Sequence, residues 1–367
     1  MRKQVSTSNF HPDKIRLLNN RLLGRASSVF FLGLLDGHPQ IVTLPYLTVA
    51  YRFLDFKGRD APGIAENLWR LLEKSYARVS GGEKPPYRQT DFVAHVRDYL
   101  DQFGISRKTV FISLFFGYAA VSNSEWALVR YINHNEHEVL GELMLERDFP
   151  RRNSIYLIRD PRASFASIKR VRDLNPIESE TLFSTLYKHA YKRALALGRQ
   201  DVLLLRHEDI HQNYPAVMKR YCDFLSIPFH PALEGSSFFG IPYTGENFKC
   251  RSTIQLYSSR PDPRYVNDGW KSELSRSEFR LVQRMSADII AEQGYERMTC
   301  ADLVKIAPTF DYLDLFARHA PAGSFRRRLL LGLRRIPGLG TLSEWGLQAA
   351  VMATVYGVAR LRLIVYG

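Results

Sequence analysis

Short apolar runs alternate along this chain with longer stretches whose apolar positions recur every three or four residues. That alternation is the pattern of strands joined by crossover helices in a largely parallel sheet. The runs predict strands over Ile41–Leu44, Val110–Leu114, Ala127–Ile132, Ile155–Ile158 and Val202–Leu205. The helical spacing predicts helices over Ser28–Leu35, Thr90–Phe103, Glu136–Glu146, Pro161–Val171, Ile177–Leu197, Tyr214–Leu225 and Arg276–Gln293.

Two stretches break the alternation. Residues 79–89, punctuated by Gly-Gly and Pro-Pro, read as a loop. Pro228–Asn267 is long, irregular and rich in Gly, Pro, Ser and aromatics, the composition of a binding segment or lid. From about residue 308 the α/β pattern stops, dividing the chain into a 1–307 domain and a 308–367 tail of basic and apolar helical character. No internal repeat or low-complexity tract is evident.

Composition narrows the picture. With 367 residues, 45% hydrophobic, the chain can bury a large core and is not of the disordered class. Cys222, Cys250 and Cys300 are too few and too scattered for a disulfide framework or a zinc ribbon, which favours a reducing compartment. No apolar stretch of signal-peptide length follows the opening MRKQVSTSNFHPDK, so the expected location is cytoplasmic. Of the net charge of +14, residues 323–367 hold +6, with seven arginines against Glu344. The remainder is enough to attract an anionic ligand without calling for nucleic acid.

The sharpest local signal is SIYLIRDPRASFASIKR, residues 154–170. Ile155–Ile158 suits a buried parallel strand. Asp160 can cap the helix that follows, and Pro161 occupies its first position. A strand, a sharp turn and a helix start of this kind present amides at the carboxyl edge of a sheet, where anions bind. Arg159 adds a guanidinium, and Ser164 and Ser167 share a helical face. An ordinary strand-to-helix turn with a solvated basic helix explains these residues equally well, and spacing does not choose between the serines.

RDPRASFAS resembles the 3′-phosphate-binding segment of sulfotransferases that use 3′-phosphoadenylyl sulfate (PAPS). The resemblance implies that Arg159 and Ser167 hold the 3′-phosphate. Residues 24–39, GRASSVFFLGLLDGHP, are similar to that family's loop for the 5′-phosphosulfate, which implies contacts from Arg25, Ala26, Ser27, Ser28, Val29 and Phe30. Arg25 would also neutralise the departing phosphate. Ser27 stands where the family usually has glycine and Val29 where a second hydroxyl is common; the preceding IRLLNNRLL is more polar than an apolar first strand. VLLLRHEDI, residues 202–210, resembles the family's strand and turn with His207 replacing a tyrosine, and leaves Glu208 and Asp209 as turn and cap residues. GWKSELSRSEFRLV and IIAEQGYE resemble its closing segment, so the likeness runs discontinuously from about residue 22 to residue 297.

The acceptor hydroxyl needs a general base. NHNEHE, residues 133–138, offers His134, Glu136 and His137, and the family's spacing to a Phe-Pro pair selects His137 ahead of Phe149-Pro150. His134 and Glu136 remain rivals, as does a polar helix start with no catalytic part. His134 and His137 are three apart, not the four of a zinc-binding HExxH, so no metal is expected. Lys249 and Arg251 in the long loop are further phosphate contacts or members of a solvated basic loop.

These readings imply an α/β fold with a parallel central sheet flanked by helices, of the P-loop NTPase-like sulfotransferase type. The expected function is transfer of a sulfuryl group from PAPS to an acceptor hydroxyl, on a carbohydrate or glycolipid by analogy with the family's RDPRAS-type members. Nothing in the chain matches the GxxxxGK[ST] of a magnesium-dependent phosphotransferase, which stands as one alternative. A non-catalytic membrane-peripheral protein of the same fold is another. Residues 345–359 are apolar but shorter than the roughly 20 residues a spanning helix requires. With five arginines at 326–335, this tail reads either as a segment on the anionic inner membrane face or as a packing hairpin.

Overall fold

A computed structural model gives the fold. It describes residues 10–22, 28–45, 51, 54–122, 126–136, 139–174, 199–243 and 259–303. The chain divides into two compact units, one made of Met1–Asp160 and Lys188–Asn267, the other of Pro161–Tyr187 and Asp268–Gly367.

The first unit carries a parallel sheet of five strands: β1 (Arg16–Leu22), β2 (Ile41–Thr43), β3 (Tyr131–Glu136), β4 (Arg152–Ile158) and β5 (Val202–Arg206). Their order is β2-β3-β1-β4-β5. Before β4, the described helices of this unit are α1 (Ser28–Gly33), α2 (Ala61–Ser80), α3 (Gln89–Phe103), α4 (Arg107–Val121) and α5 (Val139–Asp148). Leu17, Val42 and Ile132 from the sheet share a core with Phe92, Val96, Phe111 and Phe116 from the helices.

In the polar first strand, Asn20 finds a partner across the sheet. Asn20 donates to the Asn133 side-chain oxygen, and Asn133 in turn donates to Thr43 Oγ1 at 3.1 Å. Three strands are thereby linked by buried amides, each hydrogen-bonded where burial would otherwise be costly.

Three expectations are corrected. Val110–Leu114 is not a strand but the middle of α4, which starts at a capping box between Ser106 and Thr109 and is buried on every side from Thr109 to Ala119. A helix buried all round shows no amphipathic period, so its apolar run imitates a strand. The third strand lies at Tyr131–Glu136, after a 3-10 turn at Trp126–Leu128, and its register against β1 pairs Arg16 with Tyr131 and Arg21 with Glu136. The polar NHNE therefore belongs to the strand and not to the start of the helix that follows, which lies at Val139–Asp148. Finally, α2 fills a stretch for which no element was expected. Asp60 caps it by accepting from Gly63 N at 2.9 Å, and Gly81, left-handed at φ 82°, closes it.

After β5 come α7 (His207–Gln212) and α8 (Tyr214–Leu225), then a short hairpin of β6 (Ser237–Phe238) and β7 (Ile241–Pro242). The hairpin turns through Phe239 and Gly240, both left-handed at φ 57° and 76°, as a two-residue primed turn requires. Asp36 holds that turn, accepting from Ser237 Oγ and Gly240 N at 2.8 Å each. Gly33 lets α1 approach: a Cβ there would overlap Ser236 Oγ and lie 2.8 Å from the Ser237 carbonyl.

The second unit contains α6 (Pro161–Leu174), α9 (Arg276–Met285), α10 (Ala287–Glu292) and a 3-10 turn at Gly269–Ser272. The helix expected over Arg276–Gln293 is interrupted at Ser286, whose φ of −113° and ψ of 19° leave the helical region. Arg162, placed by its sequence on a basic helix surface, is buried instead. Its guanidinium lies 4.8 Å over the Trp270 ring and donates to the Glu296 carbonyl at 2.9 Å and to Gln283 Oε1 at 3.3 Å. The expected helix over Ile177–Leu197 and the tail from residue 308 lie outside the described residues.

Candidate functional site

In the first unit, β1 and β4 are neighbours, yet the chain leaving β1 returns at β2 on one edge, whereas the chain leaving β4 returns at β5 on the other. Diverging connections from adjacent parallel strands open a crevice at their carboxyl ends, and ligands of open α/β sheets bind there. Arg159–Asp160 follows β4 at that edge.

Arg25, Ala26 and Ser27 lie outside the described residues. Ser28 is the first residue of α1, Val29 is half-buried, and Phe30 is buried with its ring 5.2 Å from that of His211. Past β4, the Asp160 N–H donates to Glu208 Oε1 at 3.0 Å, which fixes the Arg159 turn to α7. The expectation of a structural part for Glu208 agrees with this bond.

Two histidines on α7 report the charge of this edge. His207 and His211, one helical turn apart, are both buried, their ring centroids 4.7 Å apart. Burial, then the Arg159 guanidinium, then His211 hold His207 well below the ordinary histidine range. Burial and then Arg159 push His211 down to about 4. His207 Nε2 lies 3.4 Å from the Tyr265 carbonyl, and His211 Nδ1 accepts from Asp262 N at 3.1 Å. The segment around Asp262–Tyr265 is thus tied to α7 by neutral imidazoles beside a cation. The HEDIH spacing carried this signal in the sequence, since i and i+4 share a helical face.

Across the sheet, β3 ends in the residues weighed as bases. His134 and Glu136 are 4% and 1% exposed, and His134 Nε2 lies 3.4 Å from Glu136 Oε2. Glu136 Oε2 also accepts from Tyr51 N at 3.1 Å, and the His134 ring meets the edge of Phe111 at 5.0 Å. Gly141 gives the carboxylate room, since a Cβ there would sit 2.5 Å from Glu136 Cδ. Tyr51, which no sequence signal singled out, gathers this corner: its hydroxyl donates to Asp148 Oδ2 at 2.6 Å and its carbonyl accepts from Arg107 at 2.9 Å. His137 lies outside the described residues.

Ser167 is half-buried on α6 in the second unit, while Ser164 is buried there with no hydrogen bond to its Oγ among the described residues. Lys249 and Arg251 lie outside the described residues. Among the described residues, no group of three or more His, Cys, Asp or Glu is gathered to hold a metal ion, and no helix is long and apolar enough to cross a membrane.

No protein-family model and no curated protein matches the chain. Among solved structures, it is similar to the sulfotransferase domain of the curacin biosynthetic pathway, with 18% identity over 77% of this chain and 99% of that one, at a TM-score of 0.48. The sulfotransferase domain of the Synechococcus PCC 7002 olefin synthase matches at 16% identity, covering 78% and 97%, with a TM-score of 0.46. Sulfotransferase STF9 from Mycobacterium avium matches at 12% identity, covering 78% and 79%, with a TM-score of 0.40. All three are sulfotransferase structures.

Proposed function

We propose that this chain is a sulfotransferase that moves a sulfuryl group from PAPS to an acceptor hydroxyl. The observation that carries the reading is the position of Arg159: it follows the last residue of β4 at the switch point of the sheet, and its charge reaches two buried histidines on α7. A cation fixed at that edge is suited to a phosphate. The 3′-phosphate is assigned to Arg159 and Ser167; what joins these two residues in the reading is their spacing in RDPRASFAS. Arg25 and the segment from Ala26 through Ser27, Ser28 and Val29 to Phe30 take the 5′-phosphosulfate, and Lys249 and Arg251 add phosphate contacts.

In the reaction, the acceptor oxygen attacks sulfur in line, the bond from sulfur to the phosphate oxygen breaks, and adenosine 3′,5′-bisphosphate leaves. His137 takes the acceptor proton, and Arg25 offsets charge on the departing phosphate. The acceptor class is a carbohydrate or glycolipid, with residues 323–367 resting on an anionic membrane face. Calorimetry with adenosine 3′,5′-bisphosphate tests the donor side. Binding at roughly tens of micromolar or tighter is expected, and no heat at that concentration would remove the reading. Labelled donor offered with a panel of glycans and lipids, and flotation with anionic vesicles, test the acceptor and the tail.

A further inference from the structure

His207 carries a lone pair that no described residue uses. The residue is 2% exposed, and its Nδ1 has no hydrogen-bond partner among the described residues. Its other nitrogen, Nε2, lies 3.4 Å from the Tyr265 carbonyl. A carbonyl only accepts, so Nε2 bears the ring proton and Nδ1 is left as an acceptor. Protonating Nδ1 is opposed by burial and by the neighbouring Arg159 charge. A buried acceptor without a donor is unfavourable, and such atoms are rare enough in folded proteins to require an explanation.

We infer that His207 Nδ1 accepts a hydrogen bond from the ribose 2′-hydroxyl of the bound nucleotide, which makes His207 a specificity-determining residue for the donor. The inference rests on the proposed function, in which Arg159 takes the 3′-phosphate. On that nucleotide the group next to the 3′-phosphate is a hydroxyl, the donor that Nδ1 lacks. Arg159 and His207 stand at the ends of neighbouring strands, β4 and β5, and the Asp160–Glu208 bond holds their turns together. A cation and a neutral acceptor set side by side match a phosphate and its vicinal hydroxyl. Inorganic phosphate answers only the first of the two, and a 2′-deoxynucleotide leaves the second unmet.

The test is titration calorimetry on the full chain with adenosine 3′,5′-bisphosphate and its 2′-deoxy analogue, using the native protein and His207→Phe. The native protein should bind the deoxy analogue roughly five- to tenfold more weakly, the effect of one hydrogen bond with its acceptor left buried. In His207→Phe the two ligands should differ by less than about twofold. Equal affinities in the native protein would overturn the inference, and so would an undiminished preference in His207→Phe. The native ratio decides the matter even if the variant does not fold. If the native protein binds neither nucleotide, the sulfotransferase reading itself has failed; if it binds both equally, only the assignment of His207 has.

Discussion

The Asp160 backbone N–H and the Glu208 carboxylate meet at 3.0 Å, joining the turn after β4 to the helix after β5. That bond ties the turn carrying Arg159 to α7. Glu208→Ala should weaken adenosine 3′,5′-bisphosphate binding roughly tenfold, because the loss frees the turn and leaves an amide without its charged acceptor. Glu208→Gln keeps an acceptor oxygen and should lose less than half of that effect on a logarithmic scale. Calorimetry on the two variants makes the comparison, and equal losses would show that the bond is not what holds the turn.

Nucleotide binding and turnover should separate between two residues. Arg159→Ala is expected to weaken adenosine 3′,5′-bisphosphate severely, by about a hundredfold if it makes charge-assisted bonds to the phosphate. His137→Ala should abolish transfer while leaving that affinity within about twofold, since a general base touches the acceptor. Normal turnover in His137→Ala would move the base to His134 or Glu136.

Acid should destabilise the first unit through α7. His211 titrates near 4 in the folded chain against an ordinary value of 6.5, so the unfolded chain takes up its proton first. Its contribution is complete above about pH 6.5 and is lost as pH falls towards about 4. His207, also depressed, acts in the same direction. Thermal melts from pH 7 to pH 4 should show Tm falling over this window, with a shallower slope in His211→Phe; an identical slope would exclude the histidine as a source.

The turn at Phe239–Gly240 depends on Asp36. Burial raises the Asp36 pKa, against the opposing pull of its hydrogen bonds from Gly240 and Ser237. Asp36→Ala removes the shared acceptor and should cost about 2–4 kcal/mol in urea denaturation. Asp36→Asn retains an oxygen acceptor without the buried charge and should cost about 1 kcal/mol or less.

In the second unit, Arg162→Lys is not a conservative change. Lysine lacks the planar guanidinium that lies over Trp270 and places Nη1 to donate to both Glu296 and Gln283. A loss of about 2–3 kcal/mol is expected. Unfolding followed by the fluorescence of Trp270, with the other tryptophans replaced, would report it directly.

The hydrophobic pattern by itself determined much of the scaffold. It placed α8 at Tyr214–Leu225, β2, β4 and β5 within one residue at most positions, and the β4 turn that carries Arg159. These elements have a clear period, or a clear apolar run closed by a cap or a proline, and such signals are local. Only the tertiary structure decided the rest. β1 and β3 are strands although their sequences are polar, and Asn20, Asn133 and Thr43 hydrogen-bond in series across three chain segments. α4 is a helix although it reads as a strand, because it is surrounded by core and has no wet face to give it a period. Arg162 is buried because Trp270 lies over it, 108 positions further along a 367-residue chain. The two histidines were visible in HEDIH, but their neutrality was not: it comes from burial and from Arg159, which approaches from the neighbouring strand. Local sequence sets what each segment can become; partners distant in sequence determine which buried polar groups are paired, and pairing decides what can be buried.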